Sequence, residues 1–277
     1  WIKNILLFIP IIAAQSFDIF SLFTTLIAFI SFSFTSSSVY IINDLLDIKA
    51  DRKHPKKCKR PLAAGDLSFN SGFLGALILI LLGSIFGLAI GTSFLKILFA
   101  YFFITLSYSM YFKKKALLDI FILSGLYTIR IISGGLANSL EISYWLLAFS
   151  IFIFLSLAAI KRETELIDLI NRGKTKIENR DYRSSDLNFI KNISMSSGMI
   201  SVLLLALYIN SPNVLNLYSH PKFLWLASGL FFFWIIRVCF KTDRGEMYYD
   251  PVVFALKDKI SIFIFLGIIL FVVFATI

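Results

Sequence analysis

From residue 20 to residue 51 the chain reads FSLFTTLIAFISFSFTSSSVYIINDLLDIKAD, a long apolar run that closes on three aspartates and an asparagine. If the helix predicted for the apolar run continues to its end, Asn43, Asp47 and Asp51 are spaced i, i+4 and i+8 and lie on one face. Neighbouring carboxylates repel each other and need a cation, and carboxylate and amide oxygens with substrate phosphates form the shell that Mg²⁺ prefers. The segment therefore predicts a magnesium site, with a solvated helix end as the alternative.

A strongly basic stretch follows the aspartates at once, Arg52-Lys53-His54-Pro55-Lys56-Lys57-Cys58-Lys59-Arg60-Pro61. Lysine and arginine bind phosphate, so this stretch predicts that the metal site also holds a phosphorylated substrate. Pro61 restricts the backbone of Arg60, which favours a site role for that arginine, and Lys56 is a further candidate. His54 is a candidate general acid–base or hydrogen-bond donor, with a solvated turn as the alternative.

The composition indicates a membrane protein. Apolar residues make up 58% of the 277 positions, phenylalanine alone occurs 30 times, and charged residues make up 16%. A soluble globular protein does not need this much apolar surface, so the composition favours several membrane spans. The two cysteines, Cys58 and Cys239, do not suggest a disulfide framework and are interpreted as free thiols.

A window of about 20 residues predicts an all-α integral membrane protein with nine transmembrane helices in one bundle. Helices are favoured because a continuous apolar span must satisfy its backbone hydrogen bonds internally. The spans are expected near residues 4–17, 20–42, 70–93, 95–112, 117–138, 143–160, 192–210, 222–241 and 259–277.

The basic residues are concentrated in alternate loops. Segments 43–69, 113–115, 161–191 and 237–259 carry 23 of the 27 lysines and arginines. By the positive-inside rule these loops face the cytoplasm, the N-terminus is inside and the C-terminus is outside. We therefore expect a multi-pass protein of the bacterial inner (plasma) membrane with an active site facing the cytoplasm. The net charge of +10 is explained by this topology, and no nucleic-acid partner is expected.

The motif at the end of the second predicted span can be compared with a known family. Residues 43 to 51 read NDxxDxxxD, and Arg60-Pro61-Leu62-Ala63-Ala64-Gly65 follows. This pattern resembles the first signature of the UbiA superfamily of intramembrane prenyltransferases. The resemblance implies that residues 1–277 form a single nine-helix domain, with a cytoplasmic active site and a lateral route for isoprenoid chains.

Within this superfamily the chain resembles the branch that includes decaprenyl-phosphate phosphoribosyltransferase. The similar stretches are 51–61, Tyr108-Ser109-Met110-Tyr111-Phe112-Lys113 and Lys161-Arg162-Glu163-Thr164-Glu165-Leu166. The resemblance implies transfer of phosphoribose from phosphoribosyl diphosphate to a polyprenyl phosphate, with release of diphosphate. Some relatives in this branch carry a fused phosphatase-like domain at the N-terminus, so a fused or associated domain of that kind is expected before Trp1.

The chain departs from the pattern of prenyl-diphosphate users after the sixth predicted span. Those relatives carry a second motif, DxxxD, in this loop, whereas residues 161–191 contain six acidic residues but no DxxxD. Lys161 and Arg162, followed by Glu165, stand in its place. A donor with a 5-phosphate as well as a diphosphate needs an additional cationic contact, which Lys161 and Arg162 would supply.

The candidate site residues follow from the motif, the basic stretch and the resemblance. The predicted metal ligands are Asn43, Asp44, Asp47 and Asp51. The residues expected to act in catalysis are Asp44, Asp47, Asp51, Arg60 and Lys161. The predicted substrate contacts are Asn43, His54, Lys56, Arg60, Tyr108, Lys113, Arg130, Lys161, Arg162, Glu165 and Tyr182.

Four of these candidates have structural alternatives. An interfacial aromatic belt with a topology charge would also explain Tyr108 and Lys113, and a mobile loop that serves as a lid would explain Tyr182. Arg130 lies about 20 Å along the fifth predicted span, where an arginine is unfavourable unless it faces the protein interior. It is expected to meet a phosphate or a buried acid, or to lock helices together.

Three functions remain open from the sequence. We favour Mg²⁺-dependent transfer of 5-phosphoribose to a polyprenyl phosphate. The second is transfer of a prenyl group from a prenyl diphosphate to an aromatic or other acceptor. The third is a transporter or scaffold in which the acidic motif binds only a structural cation. The first two imply an isoprenoid lipid substrate and a diphosphate-bearing donor.

Overall fold

A computed structural model describes residues 1–52, 57–177, 180–247 and 250–277, apart from the side chains of Ala50, Lys57 and Asn213. Within these ranges the chain is helical, and the only β-type pairing is an isolated bridge between Lys176 and Arg183. A 3₁₀ segment, Ile2–Phe8, comes first. The helices are α1 (Ile9–Ala13), α2 (Ile19–Asp51), α3 (Pro61–Ala64), α4 (Phe69–Ile90), α5 (Thr92–Met110), α6 (Leu118–Ala137), α7 (Tyr144–Asn171), α8 (Leu187–Ile209), α9 (Pro212–Leu217), α10 (Lys222–Asp243), α11 (Pro251–Lys257) and α12 (Lys259–Thr276).

Eight helices in the described part of the chain are long and apolar enough to cross a membrane: α2, α4, α5, α6, α7, α8, α10 and α12. They lie at the second to ninth predicted spans. The segment predicted as the first span, 4–17, is instead seven residues of 3₁₀ helix followed by five of α-helix. At 1.5–2.0 Å per residue it reaches about 20 Å, short of the roughly 30 Å of a hydrocarbon core.

Two of the long helices continue well past their apolar spans. Helix α2 runs to Asp51, so the NDxxDxxxD motif is helical, as the spacing argument requires. Helix α7 runs to Asn171 and carries Lys161, Arg162 and Glu165 on its polar end. Gly173, with φ of 68°, takes the left-handed conformation that ends a helix at low steric cost.

The chain divides into two compact units, and helix α6 contributes to both. Unit 1 contains residues 1–113 and 129–142. In it, small and hydroxylated residues allow α2 and α4 to approach closely. Ser31 donates to the carbonyl oxygen of Gly83 at 2.7 Å, and Ser38 donates to that of Ala76 at 2.8 Å. A Cβ atom added at Gly134 would overlap the carbonyl group of Leu7, so this glycine allows α6 to contact the 3₁₀ segment.

Unit 2 contains residues 114–128 and 143–277. Helices α7 and α8 pack through small residues, and the Ser156 hydroxyl donates to the carbonyl oxygen of Ser194 at 2.7 Å. A buried apolar cluster lies beside the polar end of α7: Ile120, Leu155, Ala158, Ala159, Leu166, Leu169, Tyr182 and Ile190. Tyr182 belongs to the connection between α7 and α8, so the apolar cluster anchors that connection to the helices.

Candidate active site

The polar end of α2 carries four oxygen-bearing side chains, Asn43, Asp44, Asp47 and Asp51, which we call the acidic cluster. Arg60 bridges two of them, because its Nη1 atom donates to Asp44 at 2.7 Å and to Asp51 at 2.8 Å. Arg60 has an extended backbone, with φ −66° and ψ 141°, directly before Pro61 at the start of α3. Proline disfavours helical geometry in the preceding residue, so the Arg-Pro pair holds Arg60 outside α3 and beside the carboxylates.

A second cation meets the acidic cluster from a distant part of the chain. The Nζ atom of Lys113, just after α5, donates to Asp47 at 2.9 Å and approaches the amide oxygen of Asn43 at 3.5 Å. Arg60 and Lys113 thus place two positive charges against the acidic cluster, and the binding of Mg²⁺ there stays a prediction. Asp51 is nearly enclosed, whereas the side chains of Asp44 and Asp47 keep 30% and 34% of their surface exposed.

The chemistry of the acidic cluster fits Mg²⁺. Within the described ranges, no three His, Cys, Asp or Glu side chains converge into a preformed metal cage. Mg²⁺ is usually held by one or two carboxylates together with substrate phosphates rather than by a cage made only of protein. The accessible carboxylates of Asp44 and Asp47, with Asn43 and Asp51 beside them, match that kind of site. Arg60 and Lys113 are suited to the phosphates themselves.

Other candidates of unit 1 have different surroundings. Tyr108 lies half-buried in the last turn of α5, five residues before Lys113. His54 and Lys56 lie outside the described residues. Arg130 is buried in α6, where its Nε atom donates to Asn4 at 2.9 Å and its Nη2 atom donates to the Tyr101 hydroxyl at 2.9 Å. These contacts match the helix-locking alternative for Arg130, and its contact with a phosphate stays a prediction.

Unit 2 holds the candidates at the end of α7. Lys161 pairs with Asp250 at 3.2 Å and remains partly exposed. The Arg162 side chain is completely buried, with its Nη2 atom 2.7 Å from Asp119 and its Nη1 atom bonded to Glu165. Arg162 therefore meets carboxylates in the interior, and its direct contact with substrate stays a prediction.

Tyr182 is also enclosed, at 1% exposure, rather than standing in an open loop. Its hydroxyl donates to Asp119 at 2.5 Å and accepts from the backbone N–H of Leu117 at 2.9 Å. Burial, together with the hydrogen bond to Asp119 and its negative charge, strongly raises the pKa of the Tyr182 phenol. The phenol stays protonated and acts as a donor.

The sequence reading missed two charged residues of this region, Asp119 and Arg180. Asp119 lies in the first turn of α6 and is fully buried, and Arg180 donates to it from the α7–α8 connection at 3.1 Å. The available signal was a lone acid at the start of an apolar span, after the lysines 113–115. Such an acid also suits a helix N-terminus, so the pattern does not reveal its partners.

Comparison with known proteins decides the family. A model of the UbiA prenyltransferase family matches residues 5–247. The chain belongs to this family. The UbiA assignment agrees with the motif in α2, the eight long apolar helices and the resemblance identified from the sequence, and it makes the chain an integral membrane protein of transferase type.

Several known proteins are similar to most of the chain. The uncharacterised protein y4nM of Sinorhizobium fredii is 36% identical over 266 residues, 95% of this chain and 52% of y4nM, so the chain spans about half the length of that relative. The nodulation protein NoeC of Azorhizobium caulinodans is 32% identical over 277 residues, covering 99% of this chain and 89% of NoeC. Decaprenyl-phosphate phosphoribosyltransferase of Mycolicibacterium smegmatis is 31% identical over 275 residues, covering 96% of this chain and 86% of that enzyme.

Solved structures share the fold. A UbiA homologue from Archaeoglobus fulgidus bound to DMAPP and Mg²⁺ superposes with a TM-score of 0.69 at 16% identity, covering 98% of this chain and 95% of that one. A structure concerning digeranylgeranylglyceryl phosphate synthase gives a TM-score of 0.63 at 19% identity. The match covers 99% of this chain and 90% of that one. At these identities the likeness concerns the fold alone, and it identifies the helical arrangement as the UbiA fold.

Proposed function

We propose that this UbiA-family transferase moves 5-phosphoribose from phosphoribosyl diphosphate to the phosphate of a polyprenyl carrier. The observation that carries the proposal is the arrangement at the end of α2, where three carboxylates and an amide lie beside Arg60 and Lys113. Such a set suits a diphosphate with its divalent cation. The choice of phosphoribosyl donor rests on similarity to decaprenyl-phosphate phosphoribosyltransferases over 96% of the chain, and on Lys161 and Arg162 in place of DxxxD.

In this proposal the protein binds and orients charged groups and supplies no nucleophile. Asn43, Asp44, Asp47 and Asp51 would hold Mg²⁺, which would neutralise the negative charge that grows on the departing diphosphate. A phosphate oxygen of the acceptor forms a bond to the anomeric carbon of the ribose. The bond from that carbon to the diphosphate breaks, and its electron pair leaves with the diphosphate. The acceptor is already an anion, so no residue needs to remove a proton from it.

The cationic residues would bind the phosphates of the donor. Arg60 and Lys113 would transfer from the carboxylates to the diphosphate oxygens as the donor binds, and Tyr108 would lie close to Lys113. Lys161, at the end of α7, would meet the 5-phosphate in place of Asp250. His54 and Lys56 stay candidates for further donor contacts.

The membrane arrangement completes the proposal. We infer nine membrane segments in a single domain, of which the first, Ile2–Ala13, is short and precedes the eight long helices. The basic loops and the active site lie on the cytoplasmic side in this proposal, and the C-terminus lies outside. The bacterial inner membrane is the proposed location, because charged donors and Mg²⁺ are present on its cytoplasmic side. A fused or associated phosphatase-like domain stays a prediction.

The second candidate is transfer of a prenyl group from a prenyl diphosphate to an aromatic or other acceptor. It is favoured by the fold shared with the Archaeoglobus fulgidus homologue bound to DMAPP and Mg²⁺. The same acidic cluster would serve either donor, because both donors carry a diphosphate.

A competition between donors tests the proposal. Purified protein in detergent receives Mg²⁺, a polyprenyl phosphate and phosphoribosyl diphosphate in one tube, and prenyl diphosphates with aromatic acids in another. We expect a phosphoribosylated lipid and free diphosphate in the first tube, detected by mass spectrometry. Product only in the second tube would refute the phosphoribosyl assignment.

Two matched aspartate variants show whether the reaction uses the acidic cluster. We expect Asp47→Ala to abolish turnover while the protein remains folded. Asp168→Asn is the control, because Asp168 is 58% exposed and, among the described residues, forms its ion pair with Arg172 on the surface of α7 at 2.9 Å. Undiminished turnover in Asp47→Ala would exclude the acidic cluster as the active site.

A further inference from the structure

Four charged side chains of unit 2 form a closed circuit, which we call the ionic ring: Asp119, Arg162, Glu165 and Arg180. Asp119 Oδ2 lies 2.7 Å from Arg162 Nη2 and 3.1 Å from Arg180 Nη1. Glu165 Oε2 binds Arg162 Nη1 and lies 3.9 Å from Arg180 Nε. Each carboxylate therefore faces both guanidinium groups, and the ring contains two charges of each sign.

The ring is buried on one side and open on the other. The side chains of Asp119 and Arg162 have no exposed surface, whereas Arg180 keeps 23% and Glu165 keeps 35%. Asp119 is also the most heavily bonded member, since its Oδ1 atom accepts from the Tyr182 hydroxyl at 2.5 Å and from the Ile120 backbone at 2.8 Å. A buried carboxylate held by three hydrogen bonds, from Ile120, Arg180 and Tyr182, and by an ion pair with Arg162 is rigidly placed. Within the described ranges Arg162 Nε and Nη2 have no hydrogen-bond partner, so removing the charge of Asp119 would take away the enclosed anion that faces a buried guanidinium group.

Asp119 also joins three separate parts of the chain: the start of α6, the end of α7 and the α7–α8 connection. The connection is further attached by the N–H of Asp181, which donates to the carbonyl oxygen of Lys114 at 3.2 Å. Leu117, which donates to Tyr182, has a φ of 66°. A leucine adopts this left-handed conformation only where its surroundings impose it, and the Tyr182 hydroxyl is the bonded partner at this point.

We propose that Asp119 is a positioning residue for the transfer reaction, which holds Arg162, Arg180 and the α7–α8 connection in place so that the open side of the ionic ring meets the donor. This inference rests on the proposed function, because the donor is the anion that would reach Arg180 and Glu165. Asp119 itself is enclosed and does not touch the substrate. Its effect is transmitted through the two arginines.

The first test measures the connection without any substrate. Hydrogen–deuterium exchange of peptides covering 174–183 is compared between the wild-type protein and Asp119→Asn in detergent. We expect exchange of the mutant connection to be about tenfold faster, because the hydrogen bond from Arg180 and the ion pair with Arg162 both lose their anion. Unchanged exchange would overturn the anchoring role, whichever donor the enzyme uses.

The second test separates positioning from a merely structural role by steady-state kinetics. The KM for the donor that the wild-type enzyme uses should rise about tenfold in Asp119→Asn, while kcat changes by less than about threefold. Asp119→Glu keeps the charge and should recover part of the loss in KM. Faster exchange with an unchanged KM would overturn the positioning role. If the wild-type enzyme used only a prenyl diphosphate, the proposed function would fail, and the same KM comparison with that donor would still decide this inference.

Two further variants keep the test interpretable. Asp258→Asn is the matched control, because Asp258 also lies at a helix start and binds an arginine, Arg237, at 2.6 Å. It should leave both the donor KM and the exchange of 174–183 unchanged. If Asp119→Asn does not fold, Tyr182→Phe removes a single donor to Asp119 and leaves the ring charges intact. It should raise the exchange of 174–183 and the donor KM by a smaller factor, and an absence of both effects would overturn the proposal.

Discussion

Arg60 competes with any metal ion for two carboxylates of the acidic cluster, so its removal should strengthen metal binding while it weakens turnover. Its Nη1 atom lies 2.7 Å from Asp44 and 2.8 Å from Asp51. The Arg60 side chain is 38% exposed, so each charge-assisted bond is worth about 1 kcal/mol after solvent screening is considered. A metal ion that binds both carboxylates must displace both bonds. Arg60→Gln should therefore favour metal binding by about 2 kcal/mol, roughly a 30-fold lower Kd.

The assay is a calorimetric titration of Mg²⁺, and of Mn²⁺ as a tighter-binding probe, into the detergent-purified protein without donor. Turnover of Arg60→Gln is measured in parallel and should fall about 100-fold, because the donor phosphates lose a positioned cation. Arg52→Gln is the matched control, since Arg52 lies in the same segment and its Nε atom donates to the carbonyl oxygen of Ala63 at 3.1 Å. Its metal Kd should match that of the wild type.

A metal Kd that does not fall in Arg60→Gln would refute this prediction. If Arg60→Gln bound metal with an unchanged or higher Kd, Arg60 would not compete for the carboxylates of Asp44 and Asp51. If metal binding strengthened and turnover was unaffected, Arg60 would be a structural counter-ion rather than a donor contact.

Three further predictions concern other contacts. Lys113→Gln removes the second cation of the acidic cluster and should lower turnover about tenfold or more without unfolding the protein; unchanged kinetics would exclude a donor contact. Gly134→Ala should destabilise the protein by about 1–3 kcal/mol in thermal unfolding, because the added Cβ atom overlaps a backbone carbonyl group, whereas no described atom lies within 4 Å of a Cβ atom at Gly125, the control. Partial burial opposes ionisation of Asp258, but hydrogen bonds from Arg237 and a neighbouring serine lower its pKa to about 2. Its bonds should therefore contribute about 2 kcal/mol above pH 4 and lose this as the pH falls towards 2; Asp258→Asn should lower the melting temperature at pH 7 but not at pH 2, and equal losses at both would contradict the assignment.

Local sequence patterns were sufficient to predict most of the long helices of this protein. The apolar spans from 20–42 onward correspond to the eight long helices, because about 20 consecutive apolar residues have few alternatives to a helix in lipid. The spacing of Asn43, Asp47 and Asp51 puts them on one helical face only if the second helix continues to Asp51, and α2 meets that condition. The Arg60–Pro61 step was informative for the same reason, since proline acts on the residue immediately before it. The helix type and length of the first predicted span, 4–17, were harder to predict. Apolar composition does not distinguish a short segment that begins as a 3₁₀ helix from a longer α-helix.

The sequence by itself determined the membrane class, the long helices and the chemical character of the acidic cluster, since each depends on hydropathy or on spacing within one helix. Only the tertiary structure decided which charges meet. Lys113 reaches Asp47 across 66 positions of the chain, and Asp119 meets Arg180 across 61. The sequence around a charged residue does not indicate which distant residue its side chain will contact. A lone aspartate at a helix start has the same local sequence pattern whether it is solvated or buried. Within unit 2, the start of α6, the end of α7 and the α7–α8 connection pack together and enclose Asp119, which makes this aspartate the centre of the ionic ring.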